Sequence, residues 1–66
     1  MTMYRVRCGN MFAGITQQIQ APTVAFAARK FLQDAFAESG TYTVEVSSTG
    51  LRTQFITLSH TNRLRP

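Results

Sequence analysis

The spacing of apolar residues changes period along this chain, and the changes mark out its elements. Near the start, Tyr4, Val6 and Cys8 alternate with Arg5 and Arg7. A two-residue period puts the first three on one face of an extended strand and the arginines on the other. Gly9-Asn10 then forms a good two-residue turn, because both residues tolerate positive φ. Such a turn predicts a hairpin with Cys8 opposite Met11, Val6 opposite Ala13 and Tyr4 opposite Ile15. On the other face it predicts Arg7 across from Phe12 and Arg5 across from Gly14. Strand character extends through Thr16-Gln17-Gln18-Ile19-Gln20, with Ile19 still on the core face.

From Pro22 and Thr23 the period becomes helical. Proline suits the first helical turn and threonine suits a cap. The run TVAFAARKFLQDAFAE is rich in helix formers. At the helical repeat, Val24, Ala28, Phe31, Leu32 and Ala35 make one apolar stripe, with Phe36 at its margin. Ser39-Gly40 is the expected stop, with glycine in the left-handed position past the last turn.

Alternation returns at Tyr42, Val44 and Val46, set between Thr41, Thr43, Glu45 and Ser47. Ser48-Thr49-Gly50 reads as a turn. The last strand, LRTQFITL, has two readings. An even-length loop puts Leu51, Thr53 and Phe55 over the core, whereas a three-residue loop with a glycine bulge puts Ile56 and Leu58 there. Either choice leaves apolar side chains facing outward. The remaining SHTNRLRP carries no periodicity and is expected to form a basic tail.

The pattern predicts an α+β fold, ββαββ, with one helix on one face of an antiparallel sheet. Residues 1–58 are expected to form a single domain and residues 59–66 a tail. One helix covers only part of a four-stranded sheet, so the other sheet face must meet water, a ligand or a second chain.

Length sharpens this expectation. A domain of 66 residues buries only about 60% of the surface its unfolded chain exposes and is marginally stable. Chains of this size often rely on disulfides, metals or a partner. Cys8 is the sole cysteine, so no disulfide forms within the chain. Cys8 and His60 are the only soft ligands and lie at opposite ends, so no metal is expected. Association with a partner, including a second copy of the chain, is the remaining aid.

Charge adds a second candidate. Seven Lys/Arg against three Asp/Glu give a net charge of +4, and six of the seven cations are arginines. Arginine favours planar contacts to phosphate or carboxylate. Arg5, Arg7 and Phe12 on an open sheet face, with Arg52, Arg63 and Arg65, make up a candidate nucleic-acid surface of stacking ring and phosphate-holding cations.

Candidate chemistry is sparse. Asp34 and Glu38 are four apart in the helical run and read as solvated charge rather than an acid–base pair. Cys8 and His60 lack a third group to orient a base. The glycines match no phosphate-binding loop. No enzyme and no cofactor are expected.

Phe26 is the exception on the helix. It points roughly 160° from the apolar stripe at the helical repeat, beside Arg29 and Lys30. An aromatic anchor with a cationic rim reads as a protein-contact site, to which outward-facing Ile56 and Leu58 are added. The favoured expectation is a non-catalytic protein that works by self-association or by docking on and regulating a larger partner. The alternative is nucleic-acid binding. No run approaches the ~18 apolar residues of a membrane helix, and no apolar signal core opens the chain. A free cysteine suits a reducing compartment, so a cytoplasmic location is expected.

Overall fold

The computed structural model describes residues 1–9 and 11–62. Four strands form one antiparallel sheet: β1 (Thr2–Arg7), β2 (Gln17–Ala21), β3 (Gly40–Ser48) and β4 (Leu51–His60). Their order across the sheet is β2-β1-β3-β4. A single helix, α1 (Val24–Asp34), links β2 to β3. Because β2 and β3 both run antiparallel to β1, they are parallel to each other, and α1 carries the chain across β1. This is the expected ββαββ architecture.

The core lies between α1 and one sheet face. It contains Tyr4, Val6, Ile19, Ala21, Val44 and Val46 from the sheet and Ala27, Ala28, Phe31 and Leu32 from the helix. The alternation in β1 and β3 therefore assigns their faces as expected. Thr23 caps the helix as its sequence position suggests: its side chain accepts a 3.1 Å hydrogen bond from the Phe26 amide.

The first hairpin differs from expectation. β1 and β2 are joined by a longer connection containing a short 3-10 turn, Met11–Gly14. The Met11 amide donates to the Cys8 carbonyl at 3.0 Å. Ala13 and Gly14 then take positive φ values of 57° and 76°, which bend the chain back. Val6 consequently pairs with Gln17, and Tyr4 with Ile19. The register lies four residues beyond the expected one. Four is an even shift, so the sheet faces survive while the partners change. Ile15, expected in the core, is exposed, as is Ala13; Met11 does pack against the core. The expected turn residue Asn10 lies outside the described residues.

The helix also ends earlier than expected. Its cap is Ala35; Phe36 follows with φ 53°, the left-handed region. The Phe36 amide donates to the Gln33 carbonyl and the Ala37 amide to the Leu32 carbonyl. These two bonds are the Schellman pattern, with a phenylalanine where glycine is usual. Ala37 and Leu32 are both buried, which is the apolar contact that accompanies the motif. Glu38 thus lies beyond the helix, and the expected helical Asp34–Glu38 pair does not exist. Gly40 opens β3 instead of ending α1.

β3 and β4 pair in continuous register from Gly40↔His60 to Val46↔Gln54, then shift to Ser48↔Leu51. One residue separates Val46 from Ser48, but two separate Leu51 from Gln54. The extra residue on β4 is a bulge, and it reverses the parity that the Thr49-Gly50 turn would impose. The faces are those of the second reading, reached by a two-residue turn and a bulge within β4 instead of a three-residue loop with a glycine bulge: Ile56 and Leu58 lie on the core side, partly buried, and Phe55 faces the other way. β4 also runs past the expected boundary at 58 to His60. Asn62 is buried, its amide bonded to Ser39 Oγ at 2.9 Å. Packing therefore continues through residues expected to belong to the tail.

Candidate contact surface

The sheet face turned away from α1 carries alternate residues of all four strands. Across one row, Arg5 lies between Gln18 of β2 and Ser47 of β3. In the next, Arg7 lies beside Glu45 of β3, and Glu45 beside Phe55 of β4. Further along, the hydroxyls of Thr43 and Thr57 meet at 2.9 Å. Arg5, Arg7, Thr16, Glu45, Ser47 and Thr53 line a shallow cleft of about 110 Å³.

One arginine of this face is paired with a carboxylate. Arg7 Nε donates to Glu45 Oε2 at 2.8 Å. That hydrogen bond, and secondarily the carboxylate charge, raise the Arg7 pKa and hold its charge in place. Phe12, expected across from Arg7, belongs to the 3-10 turn and not to β2, so the two are not a cross-strand pair. Arg5 supplies the unneutralised charge at the centre of the face. Arg52 is exposed within the bulge. Arg63 and Arg65 lie outside the described residues.

The helix surface holds the other described cations. Phe26 is 52% exposed, and Arg29 and Lys30 beside it are exposed too. This patch sits on the solvent side of α1, opposite the open sheet face. The described cations are therefore divided between two sides of the molecule and form no single basic stripe.

Two exposed aromatics escaped the sequence reading as contact residues. Phe55 is 67% exposed and Phe36 68%. The signal for Phe55 was its alternation with Ile56 and Leu58, undecidable without the bulge. The signal for Phe36 was masked by the helix formers around it. Ile56 and Leu58, expected as outward-facing contact residues, are instead half-buried on the core side, because the bulge turns that face of β4 toward the helix.

Cys8 and His60 have separate partners. Cys8 is buried, and its thiol donates to the Thr43 carbonyl at 3.4 Å. Burial first, then the charge of Glu45, push its pKa upward, away from the thiolate. His60 stands edge-on to Tyr42, ring centres 6.4 Å apart. Among the described residues no three potential metal ligands gather, and no helix is long and apolar enough to cross a membrane.

The chain matches no protein-family model, no curated protein and no solved structure.

Proposed function

We propose that this chain is a non-catalytic binding protein that acts by protein–protein contact, with β4 as its principal contact element. The observation that carries the reading is Phe55. It stands two-thirds exposed at the middle of an edge strand that bears no charge from Thr53 to Ser59. A large exposed aromatic in uncharged surroundings is the usual make-up of an interface anchor. Phe36 and Phe26 add exposed aromatic surface elsewhere, with Arg29 and Lys30 as a rim for Phe26. Three exposed phenylalanines are a heavy apolar load for so small a surface. Docking on and regulating a larger protein is one form of such contact, and self-association is another.

Nucleic-acid binding through Arg5, Arg7, Arg52 and the C-terminal arginines has less support. Glu45 neutralises Arg7, and the remaining described cations are scattered, whereas phosphate binding gains from clustered charge.

The test is capture of partners from the source cell with wild-type, Phe55→Asp and Phe26→Asp chains as bait. It is run beside titrations with single- and double-stranded DNA and RNA. The reading expects a protein recovered by the wild type and lost with Phe55→Asp, at unchanged circular dichroism. Tight nucleic-acid binding at physiological salt, with no protein dependent on either phenylalanine, would overturn it.

A further inference from the structure

The two edges of the sheet are built differently. β2 is five residues long and is followed at once by Pro22. Shortness and an adjacent proline both blunt an edge. β4 is ten residues long, and among the described residues no strand lies beside its outer row of backbone N–H and C=O groups. Folded proteins usually protect such an edge with lysine, proline or an inward-pointing charge. The segment Thr53–Ser59, TQFITLS, has none of these and no glycine. It combines β-branched and aromatic residues, the types most favoured in paired strands. The bulge, Arg52 and Thr53 opposite Ser47, lies at one end and leaves Gln54 to Ser59 regular.

We propose that the occupant of this edge is β4 of a second copy, running antiparallel about a twofold axis through Ile56. The inference rests on β4 being the contact element and names its partner. An axis normal to the sheet keeps the two open faces on the same side, and the helices together on the other. Centred on Ile56, the pairing sets Phe55 against Thr57 and Thr53 against Ser59 on the open face. On the helix side it sets Ile56 against its own copy and Gln54 against Leu58. Aromatic with β-branched, hydroxyl with hydroxyl and aliphatic with aliphatic are favourable cross-strand pairs, and Gln54 against Leu58 is the one polar–aliphatic pair of this register, against two such pairs when the axis passes through Phe55. The two Phe55 rings become diagonal neighbours across the seam, roughly 7–8 Å apart and within aromatic reach.

Other registers fit less well. Centring on Phe55 places Arg52 against Leu58 and Gln54 against Ile56. Centring on Thr57 leaves only residues 54–60 paired. In the Ile56 register, Arg52 and His60 fall at the ends, so the +4 charge of each chain does not meet across the middle of the seam. The pairing also covers the half-exposed flanks of Ile56 and Leu58. The product is a continuous eight-stranded sheet with two helices on one face.

Sedimentation equilibrium on the full chain should give a dimer mass. Phe55→Lys, which puts two cations near each other across the seam, should give the monomer mass with unchanged circular dichroism. Phe26→Lys, remote from the seam, should remain dimeric. In a sample mixing isotope-labelled and unlabelled chains, intermolecular nuclear Overhauser contacts should join the Phe55 ring to the Thr57 methyl. A dimer indifferent to Phe55→Lys, or one lacking that contact, overturns the proposal. A wild type that stays monomeric at millimolar concentration but loses a protein partner on Phe55→Asp overturns self-pairing alone. A monomer whose partner capture ignores Phe55 overturns the contact reading as well.

Discussion

Arg7 and Glu45 are 38 positions apart in the chain and joined by a 2.8 Å hydrogen bond across β1 and β3. The pair neutralises one of the two arginines of β1. Arg5, in the neighbouring row, has no such carboxylate across from it: it lies between Gln18 and Ser47.

The Arg7–Glu45 pair is solvent-exposed, so its contribution is small and screened by salt. Glu45→Gln should lower the thermal midpoint slightly at low ionic strength and not at all at high. Melts of both chains across a salt series measure this; a large, salt-independent loss would mean that Glu45 supports packing and not only charge.

Phe36 occupies the left-handed position of the helix-ending motif with its side chain mostly in solvent. Left-handed backbone costs a non-glycine residue about 1–2 kcal/mol. Phe36→Gly should therefore stabilise the fold by about 1 kcal/mol, read from the urea midpoint. Lost stability would show that the ring packs more than its exposure indicates. A gain in stability accompanied by lost partner capture would mark Phe36 as part of the contact surface.

The Cys8 thiol has its pKa raised in the folded chain from an ordinary value of 9.0, by burial and then by Glu45. Its folded pKa exceeds its unfolded one, so the unfolded chain loses the proton first. The neutral thiol's stabilisation is complete below the unfolded pKa and is lost as pH rises from there through the folded pKa. The stability difference between wild type and Cys8→Ala should therefore narrow above about pH 9. Parallel urea titrations of the two chains across that window check the sign; a constant difference would contradict it.

Strand pairing past Leu58 is structural. Ending the chain at Leu58 removes the Gly40↔His60 and Thr41↔Ser59 pairs and the Asn62–Ser39 bond. A loss of about 2 kcal/mol is expected, measured by denaturation against the full chain. An unchanged midpoint would put the domain boundary back at residue 58.

Local periodicity determined much of this protein. The alternation of Tyr4, Val6 and Cys8, and of Tyr42, Val44 and Val46, settled the faces of β1 and β3, because a strand's side chains can only alternate. The stripe through Ala28, Phe31 and Leu32 settled the buried side of α1, and Thr23 its start, because both depend on residues within a turn or two. Phe26 was legible as an outward aromatic for the same reason. Tertiary structure decided the rest. Gly9-Asn10 was as good a tight turn as any, but the 3-10 turn at Met11–Gly14 let Ile19 and Ala21 reach the core under α1. Phe36 ended the helix against its own propensity, because Ala37 beside it had a place in the core. One bulged residue in β4 exchanged Phe55 for Ile56 and Leu58, an outcome set by which side the helix covers. The neutralisation of Arg7 needed two strands brought together from distant parts of the chain. Each of these depends on energies shared between segments far apart in sequence, and no local pattern carries that information.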